Sequence, residues 1–276
     1  MKNVVLNRQV LFGGIIVPFG LICIFILLSG SLFAQNRTSL GWAWQNPLPQ
    51  GNSLLSIHFA KNNDIGFAVG SDSTILSTQN GGFLWQKHET DIQTTLSDVF
   101  VKDEKNIFTV GSRSTIVSSV DGGKKWKSIK TDLREHFHAI TFTGSEFKTG
   151  WVIGTNGSLL KTKDGGTNWK PQKARVKTDL LKISAFNKNR VAIVGKTGVL
   201  ITSKNGGENW KENKPCGDLL MSDVAYLSEK NIVAIGFGGC VARSENAGET
   251  SKRVNIFKRS DLLSLTFADE NKGFMT

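Results

Sequence analysis

Few side chains in this chain stand in positions where they could do chemistry together. Asp98 and Asp223 occupy equivalent positions in a unit that recurs along the sequence. Two carboxylates that face each other across a cleft are the machinery of glycoside hydrolysis. The simpler role for each is to accept hydrogen bonds from nearby backbone N–H groups. We therefore expect no catalytic residues, and Asp98 and Asp223 are the candidates if the chain is an enzyme.

Other candidate groups point to packing. The single tyrosine, Tyr226, stands where the other units carry Phe, Val or Ala, which indicates a packing residue and not a nucleophile. His136 and His138 are two residues apart, so both could lie on one face of a strand. A zinc site needs more ligands than these two. The sequence predicts no metal site and no cofactor.

A short turn recurs at nearly constant spacing and defines the unit. It has the form Ser/Thr-x-Asp/Asn-Gly-Gly-x-x-Trp, and successive tryptophans lie 41, 43 and 41 residues apart. A fifth, eroded copy begins at Ser244 and has Ser251 in the tryptophan position. The hydroxyl and the Asp/Asn oxygen can accept hydrogen bonds from the backbone of the turn, and the indole can pack between sheets. The Asp/Asn and Trp residues of the four full copies are Asn80, Trp85, Asp121, Trp126, Asp164, Trp169, Asn205 and Trp210.

Each unit carries four strand signals separated by glycine turns. In the first unit these are residues 54–59, 66–69, 74–77 and a fourth strand that Trp85 opens. About 40 residues with four short strands is the size of a propeller blade. The sequence therefore predicts an all-β fold, a β-propeller of four-stranded blades. Calcium binding is disfavoured, because two of the four turns have Asn in place of Asp.

The two ends of the repeat region predict an incomplete last blade. Residues 262–276 match residues 54–68, so they supply two strands of a sixth unit. Trp44-Gln45-Asn46 has the spacing of a fourth strand that could complete the last blade. We expect a propeller over residues 35–276, with about five full blades, and a chain that is a truncated product.

The first 34 residues have the features of a targeting segment. Lys2 and Arg8 precede an apolar run from Val10 to Leu28, and Ala34 ends a plausible cleavage site. We expect a cleaved signal peptide or, alternatively, an uncleaved membrane anchor. Either makes the propeller an exported domain. The chain has a formal charge of +11, and removal of Lys2 and Arg8 leaves 11 − 2 = +9. We expect a monomer whose partner is an acidic protein or envelope complex rather than nucleic acid.

The repeated turns resemble the Asp-box, or BNR, repeat. The wider unit, such as residues 195–210, is similar to the photosystem II stability/assembly factor family, and the resemblance covers roughly residues 42–276. It implies an exported, non-catalytic propeller that helps to assemble a membrane complex. Asp-box propellers also include sialidases and other glycoside hydrolases, so the alternative is a hydrolase or a carbohydrate-binding propeller. No functional residue of either family could be transferred to a position here.

Blade topology places the connections between blades on the same face as the turns between second and third strands. The basic residues that we expect on this face are Arg113, Lys130, Arg134, Lys173, Arg175, Lys177, Lys196 and Lys211. They could steer an acidic partner onto it. The alternative is that they are ordinary solvated loop residues of a basic chain. Cys216 and Cys240 fall on the same face, so a disulfide between them is plausible if their Cα atoms come within about 7 Å.

Overall fold

The structure is a computed structural model that describes residues 51–256 and 260–276. The N-terminal targeting segment and the strand expected at Trp44–Asn46 lie outside the described residues. Within these ranges the chain is built from strands, and one short 3-10 turn covers Thr155–Gly157. None of the helical structure in the described part is long and apolar enough to cross a membrane.

Five four-stranded antiparallel sheets follow one another along the described chain, and a two-stranded sheet ends it. Sheet 1 has β1 Leu54–Phe59, β2 Gly66–Gly70, β3 Ile75–Thr78 and β4 Gln86–His88; sheet 2 has β5 Leu96–Val101, β6 Ile107–Gly111, β7 Thr115–Ser119 and β8 Lys127–Ser128; sheet 3 has β9 Phe137–Thr143, β10 Thr149–Gly154, β11 Leu159–Thr162 and β12 Lys170–Pro171. Sheet 4 has β13 Leu180–Ala185, β14 Val191–Gly195, β15 Leu200–Ser203 and β16 Lys211–Asn213; sheet 5 has β17 Met221–Tyr226, β18 Ile232–Gly236, β19 Cys240–Ser244 and β20 Lys252–Val254; sheet 6 has β21 Leu265–Asp269 and β22 Lys272–Met275. The strand order within each sheet is the order along the chain.

The burial of the strands explains their sequences. The second strands of sheets 1, 2 and 4 are mainly apolar and are buried along their whole length. Sheets 2 and 4 have a neighbouring sheet packed on each face. The outermost strands, β4, β8, β12, β16 and β20, are two or three residues long, and each carries a lysine. Short, charged outer strands leave little edge on which another chain could pair.

The first strands of successive sheets contact one another, from β1 through β5, β9, β13 and β17 to β21. The first strands therefore lie innermost. A buried apolar cluster fills each gap between consecutive sheets from sheet 1 to sheet 5. Trp126, Trp169 and Trp210 pack against the clusters between sheets 1 and 2, 2 and 3, and 3 and 4, respectively. This arrangement confirms the predicted β-propeller of blades.

Candidate binding face

The turn between second and third strands lies beside the connection to the next sheet, as predicted. Backbone N–H groups of the turns donate to carbonyls of the connections, for example Ser114 N to Glu135 O at 2.7 Å and Lys196 N to Asp179 O at 3.0 Å. These turns and connections form one end of the stack of sheets, which we call the connection face. The Asp-box turns, which follow the third strands, form the opposite end.

Two turns on the connection face each place two consecutive non-glycine residues in the left-handed region. Asp72 and Ser73 have φ of 49° and 57°, and Arg113 and Ser114 have 58° and 57°. The serines account for this backbone conformation, because each serine hydroxyl forms hydrogen bonds with the backbone of the neighbouring connection. Ser114 Oγ donates to Glu135 O at 3.1 Å and accepts from Glu135 N at 2.8 Å. Arg113 is thereby held in a fixed turn at the surface.

Sheets 3 and 4 have glycine where sheets 1 and 2 have these serines. A Cβ at Gly157 would lie 2.0 Å from Val176 O, and one at Gly198 would lie 1.7 Å from Gly217 O. The connections therefore press directly on these turns, and glycine is required there. The connection that presses on Gly157 buries Ala174, which is 3% exposed. Lys173, Arg175 and Lys177, which alternate with Ala174 and Val176 along the chain, are exposed.

Six basic side chains on the connection face are exposed and form no ion pair within the described residues: Arg113, Lys130, Arg134, Lys173, Arg175 and Lys177. Lys196 differs, because its Nζ lies 2.7 Å from Asp179 Oδ2. The hydrogen bond from Lys196 lowers the pKa of Asp179, and the backbone N–H of Asn156 acts in the same direction. Lys196 is therefore partly neutralised.

Lys211 does not lie on the connection face. It is in β16 and pairs with Thr202. Thr202 directly precedes Ser203, whose hydroxyl belongs to the Asp-box turn. The fourth strand starts directly after the Asp-box tryptophan, so its first residue is still at the Asp-box end of the sheet. The expectation for Lys211 was wrong for this reason.

The Asp-box turns share one set of hydrogen bonds. In sheet 3, Thr162 Oγ1 accepts from Gly166 N at 3.0 Å, and Asp164 Oδ1 accepts from Asn168 N at 2.9 Å. The same pair of bonds recurs from Thr78 and Asn80, Ser119 and Asp121, Ser203 and Asn205, and the eroded copy with Ser244 and Asn246. Partial burial raises the pKa of Asp164, but hydrogen bonds from Asn168 and Thr162 outweigh it and lower the pKa to about 2. The turn oxygens are occupied within their own turns.

Both candidate catalytic carboxylates are bound to neighbouring first strands. Asp98 is 9% exposed; its Oδ2 accepts Ile140 N of sheet 3 at 2.9 Å and its Oδ1 accepts the hydroxyl of Ser56 of sheet 1. Asp223 Oδ2 accepts Leu265 N of sheet 6 at 2.8 Å. Burial raises the pKa of Asp223, against the lowering effect of these bonds and of Lys182. Each carboxylate links consecutive sheets.

The tyrosine is half-buried, and two of the histidines form hydrogen bonds with backbone groups. Burial raises the pKa of Tyr226 to about 12, and its hydroxyl has no hydrogen-bond partner within the described residues. His58 Nδ1 accepts Val101 N at 3.2 Å, and a ring nitrogen of His138 lies 2.8 Å from Leu180 O. In residues 51–256 and 260–276, no cluster of three or more His, Cys, Asp or Glu side chains could hold a metal ion.

Cys216 and Cys240 form a disulfide with a Cα–Cα distance of 6.1 Å. Cys216 lies in the connection from sheet 4 to sheet 5, and Cys240 opens β19. Both belong to the buried cluster between these two sheets, beside Met221. The disulfide therefore joins the connection between sheets 4 and 5 to sheet 5.

Sequence reasoning missed a contact that recurs between sheets. Lys102 Nζ donates to Gly165 O of the next Asp-box turn at 2.7 Å and lies 4.4 Å from the Phe142 ring centroid. Lys161 makes the equivalent bond to Gly206 O at 2.6 Å, above the ring of Trp151. Burial lowers the pKa of Lys102 and of Lys161. Lys102 follows a first strand and Lys161 lies in a third strand, so the two lysines do not recur at one position of the unit and the repeat carries no signal for this contact.

Comparisons with known proteins agree with this architecture. The family described as "Photosynthesis system II assembly factor YCF48" matches residues 84–149 and 129–215. No curated protein sequence matches the chain.

Solved structures resemble the chain at low identity. YCF48 from Cyanidioschyzon merolae is 18% identical, with 83% of this chain and 94% of that chain covered and a TM-score of 0.53. A structure of YCF48 bound to D1 peptide is 18% identical, with 83% and 91% covered and a TM-score of 0.46. An ancestral GH74 enzyme is 14% identical, with 78% of this chain but 33% of that chain covered and a TM-score of 0.66. The chain is a β-propeller of Asp-box repeats, similar to the photosystem II assembly factor family.

Proposed function

We propose that this chain is an exported, non-catalytic β-propeller that binds an acidic protein partner through its connection face and acts as a scaffold or assembly factor. Its likeness to the assembly factor family supports the scaffold role. The features of its first 34 residues support export. The partner would be an envelope protein or complex that carries exposed carboxylates.

The observation that carries the proposal is the set of six exposed basic side chains that form no ion pair with any residue of 51–256 or 260–276. The chain forms ion pairs at its Asp-box end, such as Lys148–Glu146 and Lys204–Glu249, so carboxylates are available to it. Arg175 and its two lysine neighbours instead point outward from a connection that Ala174 anchors. Unpaired cations on fixed connections are suited to meet charges of a partner and to speed its approach.

Glycoside hydrolysis is the competing function, and the geometry gives it little support. Asp98 and Asp223 accept backbone N–H groups of neighbouring strands, and the pKa of Tyr226 lies far above neutral pH. The likeness to GH74 enzymes reaches a third of their length and concerns the fold. Hydrolysis of chromogenic glycosides by the purified protein, lost in D98N and D223N, would contradict a non-catalytic role.

Charge reversal on the connection face tests the proposal. The variant R113E/R175E/K177E should reduce capture of the partner from an envelope fraction by about tenfold or more, because attraction becomes repulsion. The matched control is K105E/K163E/K188E, which makes the same charge change at exposed lysines on the Asp-box face. Captured proteins are quantified by mass spectrometry, and circular dichroism verifies folding.

The two variants together separate a surface-specific effect from a general effect of charge. Capture that survives the connection-face reversal would overturn the proposal. Equal loss in both variants would show that net charge alone governs binding. Capture by the wild type should also weaken as salt rises, because exposed charges are screened.

A further inference from the structure

A groove on sheet 2 adjoins the connection face. It has a volume of about 550 Å³ and runs between the connection at residues 89–94 and the outer strands of sheet 2. A second depression of about 630 Å³ continues it towards His136. Both are lined by residues 92–94 and by Arg113. The two depressions therefore form one elongated groove with Arg113 at the junction.

The floor of the groove is apolar and firmly supported. Ile92, Val117 and Trp126 line it. Val117 is 1% exposed, while Ile92 and Trp126 are half-buried against the cluster between sheets 1 and 2. The Trp126 ring also meets Phe67 edge-on, with ring centroids 6.3 Å apart. Since these side chains are packed from behind, an apolar ligand group would meet a preformed surface.

One wall of the groove offers backbone groups. Among the described residues, neither the N–H nor the C=O of Asp91 or Gln93 takes part in a hydrogen bond, and both residues are exposed. Their neighbour Ile92 is fastened by the Ser73 hydroxyl, which donates to its carbonyl. A segment that is hydrogen-bonded at Ile92 and has unused donors and acceptors on either side can pair with the main chain of a peptide.

The charges at the rim favour an anionic ligand. Arg113, Lys124 and Lys125 line the groove, are exposed and form no ion pair within the described residues. Three acidic residues line the two depressions. Glu89 is paired with Lys87 at 3.2 Å, which leaves Asp91 and, in the second depression, Asp72 against the three basic side chains. Arg113 can hold a carboxylate with two parallel hydrogen bonds.

We propose that this groove binds a short peptide segment that carries an acidic side chain for Arg113 and an apolar side chain for the floor formed by Ile92, Val117 and Trp126. The inference rests on the proposed function, because it names the part of the partner that the connection face recognises. A neutral saccharide fits less well. It would leave the charge of Arg113 uncompensated, and the groove offers it one half-buried indole as a stacking surface.

Synthetic peptides test the groove directly. The probes are acetylated and amidated glycine/serine heptapeptides with one Asp and one Phe separated by one, two or three residues. We expect at least one spacing to bind wild-type protein, with shifts of the Trp126 and Gln93 NMR signals. Replacing its Asp by Asn or its Phe by Ala should each weaken binding by about tenfold, the effect of one lost charge-assisted bond or one buried apolar group.

Two variants locate the site. S128F places a ring over the groove from an exposed position on β8 without changing charge, and R113Q removes the guanidinium. Each should weaken binding of the peptide by about tenfold or more. Q86F is the matched control, since Gln86 is exposed on the outer strand of sheet 1 and does not line the groove.

The outcomes separate this proposal from the proposed function. Absence of binding at all three spacings, or unchanged binding to S128F, would overturn the groove. Binding of cellohexaose with the same NMR shifts, when no peptide binds, would make it a saccharide site instead. R175E/K177E, whose residues do not line the groove, tests the connection face separately. If R175E/K177E loses partner capture while S128F captures the partner fully, the connection face remains the proposed binding surface and the groove proposal is overturned.

Discussion

Single polar side chains on the first strands join one sheet to the next. Asp98 bridges three consecutive sheets, and Asp223 and Ser184 each accept a backbone N–H from the sheet that follows. First strands of neighbouring sheets do not pair as a ladder, so their buried N–H groups need side-chain acceptors. Hydrogen bonds to backbone N–H groups therefore account for these polar residues at inner positions.

Asp223 allows a test of this explanation that depends on pH. Because burial raises its pKa from 3.8, Asp223 contributes stability below that value and loses the contribution as pH rises through its folded-state pKa. D223N keeps an acceptor oxygen but cannot ionise. The free energy of unfolding of D223N minus that of the wild type, both measured in urea, should therefore increase as pH rises from about 4 to 7.

D223A serves as the comparison for this prediction. It removes the acceptor and leaves Leu265 N unsatisfied, so it should be about 1–3 kcal/mol less stable than D223N across the same pH range. A difference between D223N and wild type that stays constant or shrinks as pH rises would contradict the assigned role of the buried charge.

At the scale of the element, the Asp-box turn is stabilised by its hydroxyl. Thr162 Oγ1 is buried and accepts Gly166 N and Asp164 N, at 3.0 and 3.3 Å. T162A leaves these donors without an acceptor, so we expect a loss of about 1–2 kcal/mol in the free energy of unfolding. T167A is the control in the same turn, because Thr167 is exposed and bonds a carbonyl at 3.3 Å. Equal losses in the two variants, measured by urea unfolding, would contradict this view of the turn.

The periodic sequence predicted most of these elements. The first three strands of sheet 1 begin and end within one residue of the predicted ranges, because glycine turns and apolar runs are local signals. In sheet 6, the first strand begins at Leu265, three residues after the predicted start at Leu262. Lys211 was misplaced because its position depends on how soon a strand starts after Trp210.

The repeat pattern of the sequence could not predict the side-chain contacts between units. Lys102 and Gly165 are 63 residues apart, and the bond between them depends on how two sheets stack. The groove beside Trp126 likewise arises from the path of the connection at residues 89–94, which has no regular structure. Repetition predicts the sheets, whereas the irregular connections that differ between repeats make the surface specific.

At the scale of the whole propeller, the described residues form a series of sheet-to-sheet interfaces, and the disulfide strengthens one of them. Cys216 and Cys240 lie in the cluster between sheets 4 and 5, with a sequence separation of 24 residues. In the chain-entropy account, closing a loop of this size stabilises the fold by about 3 kcal/mol. Reduction should therefore lower the melting temperature, by about 6–12 °C for a domain of this size.

A cysteine-free variant shows whether a fall in melting temperature comes from loss of the disulfide or from loss of packing. C216A/C240A should melt at the temperature of the reduced wild type and should not respond to reductant. The two cysteines are buried beside Met221, so the double variant could lose packing as well. A variant that melts well below the reduced wild type would assign the difference to packing, while a wild type whose melting is unchanged by reductant would contradict a stabilising bond. Because the connection that carries Cys216 also presses on Gly198, loosening it should expose residues 214–220 to protease before the rest of the chain unfolds.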